Sequence, residues 1–250
     1  MESASPTNYV ICTTARSGSN LFCNYLTNTR RLGRPGEMLN PDIVRSGRFG
    51  HTYAPQDPIS AAAYLDWVKA NFSSPKGIFG IKLLYEDFEN FVGFPALREL
   101  LHDARIYVLR RRSKLKQAIS YYFAEKTGQW VATDPARMPI EEVPFDADRI
   151  EAHLRRLSMQ DVAWITHLEA ARLPYREIIF EDFLAAPSEH LQAIAAELGV
   201  ASGDLPVVAT LEEQKSPRSR EFMSRFTEAF SARTFADRES ITYKGVSFVA

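Results

Sequence analysis

Short apolar segments alternate with longer amphipathic stretches along most of the chain, and this alternation predicts an α/β protein. An apolar run too short for a helix, bounded by glycine or charged residues, indicates a buried strand. Four such runs occur, at 9–12, 78–81, 106–109 and 176–180. Because helical patterns separate them, the strands should form a mostly parallel sheet flanked by helices.

The amphipathic stretches place the helices of this sheet. Ser188 stands where it could cap one of them and Gly199 where it could end it. Pro58 is expected to begin another. The predicted helices span 19–28, 58–68, 95–102, 114–126, 146–172, 188–198 and, less regularly, 211–230.

Composition limits the class of protein. The 250 residues fit one domain, 1–250, and 45% of them are hydrophobic and 24% charged, as in ordinary globular proteins. A formal net charge of -1 argues against nucleic acid as the partner. Cys12 and Cys23 form no CxxC pair and the histidines have no metal-ligand spacing, so we expect no metal. No apolar run approaches the roughly 20 residues that span a bilayer, and the polar start of the chain resembles no signal peptide, which favours a cytoplasmic protein.

The first strand runs into a segment with the chemistry of a phosphate-binding loop. Gly18 permits close approach of an anion, the backbone N–H groups of the following helix point towards it, and Arg16 adds positive charge. Ser17 and Ser19 supply hydroxyl groups. The segment lacks the Gly-Lys-Ser/Thr of a nucleoside triphosphatase loop. A simple tight turn with a capping serine is the alternative interpretation.

The third strand ends in three consecutive arginines, at 110–112, and Ser120 lies in the helix that follows. Guanidinium groups bind phosphate oxygens in a forked geometry, and a serine can donate to the same anion. A surface basic cluster is the alternative. Two anion-binding segments at the ends of strands in one sheet predict a ligand with two separate phosphate groups.

Taken in order, these segments resemble a bacterial sulfotransferase family typified by the mycobacterial trehalose 2-sulfotransferase. That family has an Arg-Ser-Gly-Ser loop, a Gly-Glu-Pro-x-Glu segment, a Gly-x-Lys-Leu strand end, an Arg…Gln-Ala-x-Ser segment, a Thr-x-x-Trp and a Leu-Glu-x-Gln…Arg-Ser-x-Glu stretch. The corresponding positions here are 16–19, 33–37, 80–83, 111–120, 127–130 and 211–221.

The resemblance implies a P-loop-like sulfotransferase fold and an enzyme that uses 3′-phosphoadenosine-5′-phosphosulfate (PAPS) without a metal. Glu37 would be the general base, with Arg16 and Lys82 stabilising the leaving phosphate. Related enzymes are often dimers, so a homodimer is one expectation. The resemblance assigns the 5′-phosphosulfate to Arg16, Ser17, Gly18, Ser19 and Asn20, and the 3′-phosphate to Ser120 with Arg111, or with Arg112 by the spacing of animal enzymes.

Two departures leave the acceptor open. Arg34 replaces the first glutamate of the family segment, and Met38 replaces the aromatic residue after the base. The acceptor could be trehalose, another sugar, a lipid-linked glycan or a non-sugar alcohol, and Arg34, Arg45 and Arg48 favour a polar or anionic one. A kinase-like nucleotide enzyme, which needs magnesium, and a module that binds PAPS without turnover are the competing functions.

Overall fold

The computed structural model describes residues 7–45, 47, 60–91, 93–131, 134–201, 205–211, 216–234, 240–243 and 246–249. Pro58 and Arg48, which figure in the expectations above, lie outside these residues. All structural statements below concern this described part of the chain.

The strands are β1 Asn8–Thr13, β2 Phe79–Leu84, β3 Ala104–Arg110, β4 Tyr175–Ile179, β5 Ser240–Tyr243 and β6 Val246–Val249. The first four are parallel and form the central sheet, in the order β2-β1-β3-β4. Because all four run in the same direction, their carboxyl ends meet at one edge. A separate antiparallel hairpin, β5 and β6, ends the described chain.

Helices connect the strands and cover the sheet. A short 3-10 helix spans Ile140–Glu142. The helices are α1 Ser19–Asn28, α2 Pro41–Arg45, α3 Ala61–Phe72, α4 Tyr85–Phe91, α5 Pro95–Asp103, α6 Lys114–Thr127, α7 Ala147–Ala170, α8 Phe180–Ala185, α9 Pro187–Glu197 and α10 Pro217–Thr234.

Both faces of the sheet are buried, as a parallel sheet requires. Alternate residues of a strand point to opposite faces. Thus Val10 and Cys12 join one apolar cluster with Trp164 of α7, whereas Tyr9 and Ile11 join a second with helices α1, α8 and α9. A third cluster packs α6, α7 and α10 together beyond the sheet edge.

The predicted α/β architecture is confirmed, with the four central strands in their expected places. Helix α1 spans the predicted 19–28, and α6 and α7 differ from the predicted bounds by one or two residues. Gly199 lies just beyond the end of α9 with a φ of 66°, as expected of a helix-ending glycine.

Several predicted boundaries were wrong. Ser188 does not cap α9, because Pro187 already occupies the first helical position and Ala186 precedes it without a side-chain cap. Helix α3 begins only at Ala61, where Ser60 accepts from the N–H of Ala63. The last helix begins at Pro217 rather than near 211. Helices α2, α4 and α8 and the terminal hairpin were not predicted.

Candidate active site

The loop between β1 and α1 has the backbone of an anion-binding turn. Gly18 has a φ of 95°, and a Cβ at this position would lie 2.5 Å from ring atoms of Phe180. Arg16, two residues earlier, also adopts a positive φ of 62°. The N-cap residue of α1 is Gly18, which has no side chain, so no capping side chain occupies the first N–H groups of the helix. The turn therefore presents backbone donors at a helix N-terminus.

Buried hydrogen bonds hold this loop in place. Thr13 donates from Oγ1 to the carbonyl of Leu109 at 2.8 Å, so the 2.7 Å contact between Thr13 and Ser17 is made with the Ser17 hydroxyl as donor. Thr14 donates to Asp161 of α7, and Gln117 of α6 donates to both Thr14 and the carbonyl of Ala15. The Ser17 side chain thus braces the loop, and the loop conformation is held by two helices.

Arg16 extends from this loop to the middle of α6 and to the segment that follows it. Its Nε donates to Ser120 Oγ at 3.0 Å, and its Nη1 donates to the carbonyl of Trp130. Arg111 donates from Nη1 to the carbonyl of Arg16 at 3.2 Å. Burial, together with the positive charge of Arg111, lowers the pKa of Arg16. Two guanidinium groups thus lie side by side in a largely buried place, where an anion would be stabilised.

The three consecutive arginines have different environments. Arg110 pairs with Asp161 at 3.2 Å and with Glu177 at 2.8 Å. Arg112 is 62% exposed and pairs with Asp182. Only the side chain of Arg111 is buried, at 9% exposure. The structure therefore brings Arg111 and Ser120 together with Arg16, and it directs Arg112 away from them.

A second group forms where the loop that follows α1 runs beside β2. The carbonyl of Gly36 accepts a hydrogen bond from the N–H of Lys82 at 2.9 Å, which joins the loop to the strand. Tyr64 of α3 donates to the carbonyl of Met38 at 2.6 Å, and the Met38 side chain is buried in the first apolar cluster. Glu37, between these two anchors, is held beside the carboxyl end of β2.

Glu37 and Lys82 form an ion pair, with Oε1 and Nζ 2.6 Å apart. Lys82 is 3% exposed and also donates to Asn20 Oδ1. Asn40 donates from Nδ2 to Glu37 Oε2 at 3.2 Å. Glu37, the predicted base, and Lys82, predicted at the end of a strand, thus lie in direct contact although 45 residues separate them in the chain. Asn20 joins them to the loop between β1 and α1.

The model of the family described as Stf0 sulphotransferase matches residues 8–229. The chain belongs to this family. No curated protein matches it. Among solved structures, a sulfotransferase from Alicyclobacillus acidocaldarius is 17% identical with a TM-score of 0.46, over 94% of this chain and 98% of that one. The sulfotransferase domain of the Synechococcus PCC 7002 olefin synthase is 17% identical with a TM-score of 0.43, over 91% and 97%.

Membership in the Stf0 sulphotransferase family supports a sulfotransferase enzyme. Arg34, one departure from the family motif, is directed away from Glu37. Its Nη2 donates to the carbonyl of Asn71, and its guanidinium lies 4.7 Å from the ring centroid of Phe72. The surface of α3 thus takes up this side chain.

Several supporting residues were not predicted from the sequence. They are Asn40, which contacts Glu37, the carbonyl of Trp130, which contacts Arg16, and Asp161, which accepts from Thr14. Backbone carbonyls and buried acids carry no local signal of such a role. Asp87, a buried acid whose pKa is raised by burial and by the charge of Glu37, was not predicted as part of the site either.

None of the described helices is long and apolar enough to cross a bilayer. In the same part of the chain, no three residues among His, Cys, Asp and Glu are grouped as metal ligands would be.

Proposed function

We propose that this Stf0 sulphotransferase transfers the sulfuryl group of PAPS to a hydroxyl of a small, carbohydrate-like acceptor, with Glu37 as general base. The observation that supports the proposal most is that one short segment, 16–20, contacts both groups of site residues. Arg16 contacts Ser120 and Arg111, and four residues later Asn20 contacts the Lys82–Glu37 pair. One segment of five residues, 16–20, thus links the proposed base to the proposed anion site.

The residues present suit a donor with two anionic groups. The 5′ end would be bound by the loop N–H groups of 17–20 and by Arg16, and the 3′-phosphate by Arg111 and Ser120. Burial, together with the proximity of Arg111, lowers the pKa of Arg16, and a bound phosphate or sulfate oxygen would offset both effects. The 3.0 Å contact of Arg16 with Ser120 lies where such an anion would compete for both donors.

The reaction requires an in-line displacement at sulfur. The acceptor oxygen forms a bond to sulfur while the bond from sulfur to the bridging phosphate oxygen breaks. The bridging oxygen keeps the electron pair, and the hydroxyl proton passes to the Glu37 carboxylate. Glu37 is suited to this because Lys82 and Asn40 hold both of its oxygens in place.

Lys82 and Arg16 provide the positive charge. Of the three N–H donors of a lysine ammonium, two are directed at Glu37 and Asn20. In the proposed reaction the third stabilises charge on the transferring group, and Arg16 stabilises the leaving phosphate. Donors fixed in a buried place stabilise developing charge more strongly than donors in water.

Isothermal titration tests the donor part of the proposal. The protein is titrated with adenosine 3′,5′-bisphosphate in the absence of magnesium and, separately, with ATP and magnesium. Micromolar binding of the bisphosphate supports the proposal, and turnover of PAPS with a panel of sugars then separates an enzyme from a binding module. Binding of ATP with magnesium but not of the bisphosphate would show that the loop belongs to a kinase-like enzyme.

A further inference from the structure

Gln117, near the start of α6, is a fully buried amide to which the proposed reaction gives no role. Its exposure is 0%. It begins the Gln-Ala-x-Ser part of the sequence, of which only Ser120 is assigned to the donor. A buried amide costs free energy unless its hydrogen bonds are made, and an apolar side chain of the same shape would avoid that cost. The hydrogen bonds of Gln117 therefore indicate what the amide is for.

The amide of Gln117 belongs to a closed ring of four side chains. Gln117 donates from Nε2 to Thr14 Oγ1 at 2.9 Å, and Thr14 donates from Oγ1 to Asp161 Oδ1 at 3.0 Å. Lys114 closes the ring, because its Nζ contacts Asp161 Oδ2 and donates to Gln117 Oε1 at 3.0 Å. Thr14 and Asp161 are both buried. The ring joins the loop after β1 to helices α6 and α7.

Lys114 and Asp161 fix the direction of the hydrogen bonds in this ring. A lysine ammonium only donates, and an ionised carboxylate only accepts. The amide oxygen of Gln117 must therefore face Lys114, and its NH₂ group must face the loop. The hydroxyl hydrogen of Thr14 goes to Asp161, so the Thr14 oxygen is an acceptor for Gln117. A flipped amide would direct donors at Lys114 and leave the loop without a donor.

The second hydrogen of the Gln117 amide reaches the backbone of the loop. Nε2 donates to the carbonyl of Ala15 at 2.7 Å. The next carbonyl, that of Arg16, accepts from Arg111 Nη1 at 3.2 Å. The peptide groups on both sides of the Arg16 Cα are thus held, where Arg16 has its positive φ of 62°. Such a φ is uncommon for a residue with a side chain and persists where the surrounding contacts hold it. Gln117 therefore helps to fix the turn with which the loop begins.

We propose that Gln117 is a positioning residue for the donor, and that it holds the loop in the conformation whose N–H groups bind the 5′-phosphosulfate. The inference rests on the proposed function, which assigns the 5′ end of the donor to this loop and the 3′-phosphate to Arg111 and Ser120. Gln117 acts through Thr14 and Ala15 rather than by contact with the donor. Its loss should therefore reduce the affinity gained from the 5′-phosphate and spare the affinity gained from the 3′-phosphate.

Two ligands separate the two phosphate sites. Dissociation constants are measured by isothermal titration without magnesium for adenosine 3′,5′-bisphosphate and, by competition with it, for adenosine 3′-monophosphate. The ratio of the two constants is the gain in affinity from the 5′-phosphate. In Gln117→Met, which keeps the length of the side chain without its donors, this gain should fall at least fivefold, because two hydrogen bonds to the loop are lost. The constant for the 3′-monophosphate should stay within about twofold of wild type.

A second variant and a matched control accompany this measurement. Thr14→Val opens the ring but leaves the hydrogen bond from Gln117 to the carbonyl of Ala15, so the gain should fall less than in Gln117→Met. Gln160→Met is the control. Gln160 lies next to Asp161 in α7, is 8% exposed, and has an Oε1 without a hydrogen-bond partner in the described part of the chain. Its replacement also removes one buried amide and should leave both constants within about twofold of wild type.

The two ligands also decide which idea fails. A gain that falls less than fivefold in Gln117→Met overturns the inference, and this includes an equal loss for both ligands, which a role in folding alone would produce. A fall in Gln160→Met as large as that in Gln117→Met overturns it as well, and so does a larger fall in Thr14→Val. A wild type that does not bind the bisphosphate overturns the proposed function itself.

Discussion

The side chain of Arg16 donates from Nε to Ser120 Oγ across 3.0 Å, and this contact joins two segments 104 residues apart in the chain. The first is the loop after β1 and the second is the helix after β3, and these strands are neighbours in the sheet. Two donors of the kind that bind phosphate therefore face each other at the carboxyl edge, with Arg111 beside them. An anion that enters between them gains donors from both segments at once.

Replacement of Arg111 by alanine should weaken binding of adenosine 3′,5′-bisphosphate. A hydrogen bond to a charged group contributes about 1.5–3 kcal/mol, which corresponds to a loss of roughly 10-fold to 150-fold in affinity. Isothermal titration in the absence of magnesium measures it. The loss should be smaller for Ser120→Ala, which removes a neutral donor.

Arg112→Ala is the matched control for Arg111→Ala. Arg112 follows directly in the chain but is 62% exposed and paired with Asp182. Its replacement should change the dissociation constant by less than about threefold, because exposed ion pairs contribute little. If Arg112→Ala instead weakens binding as much as Arg111→Ala does, the 3′-phosphate is not held by Arg111 alone and the proposed register is wrong.

Gly18→Ala should destabilise the protein and abolish binding of the bisphosphate. Alanine at a φ of 95° is strained, and its Cβ would lie 2.5 Å from the Phe180 ring. Strain of about 1–2 kcal/mol together with a core overpacking cost of about 1–3 kcal/mol predicts a total loss of about 2–5 kcal/mol. Chemical denaturation of both proteins measures the difference in the free energy of unfolding.

Gly77→Ala provides the control for backbone strain alone. Gly77 has a φ of 80°, and a Cβ there would meet nothing within 4 Å. Its replacement should cost only the strain of about 1–2 kcal/mol and leave bisphosphate binding intact. Equal losses in the two variants would show that contact with Phe180 is not the reason for glycine at position 18.

Local sequence patterns predicted the parts of the fold whose structure is determined by a few neighbouring residues. The apolar run of β1, the turn at Gly18 and the helix 19–28 follow one another without a long-range contribution, and each was confirmed. The cap of α9 was predicted wrongly because Pro187 and Ser188 are both acceptable at a helix start, and the order of the two decides it. Short helices such as α4 have too few turns to show a period.

The composition of the site could be proposed from sequence, but its pairings could not. The choice among the arginines at 110–112 depends on which side chain the sheet buries, and only Arg111 is buried. The contact of Glu37 with Lys82 depends on the hydrogen bond from the N–H of Lys82 to the carbonyl of Gly36. No sequence motif indicates this backbone hydrogen bond. The resemblance named these residues as candidates, and the fold shows which of them touch.

Glu37→Gln should lower kcat for PAPS turnover by about 10²-fold to 10⁴-fold, the usual contribution of a general base. Glutamine keeps the shape and one acceptor oxygen, so the loop should stay in place and the dissociation constant of the bisphosphate should change less than about threefold. Rates are measured with the best sugar of the acceptor panel. Glu86→Gln, which also removes one carboxylate near β2, should keep wild-type activity. A Glu37→Gln enzyme with kcat within about threefold of wild type would assign the proton to another group.

Asp87→Asn should stabilise the protein at alkaline pH. The folded protein holds the Asp87 proton up to a pKa of about 7, whereas the ordinary value is 3.8. Between these values the folded state binds more protons than the unfolded state, so the free energy of unfolding falls as the pH rises through this window. The cause is burial together with the charges of Glu37, Glu86 and Asp42, partly offset by Lys82.

An asparagine at position 87 cannot ionise, so it removes this loss of stability. After allowance for solvent screening we expect about 1–2 kcal/mol at pH 8, which corresponds to a rise in Tm of about 2–8 °C for a chain of this size. At pH 4, where Asp87 is protonated in the folded protein, the two proteins should melt within about 1–2 °C of each other. Melting curves from pH 4 to pH 8 measure the difference. If the difference in Tm does not widen with pH, Asp87 is ionised over the whole range from pH 4 to pH 8, and neighbouring groups or solvent compensate its charge.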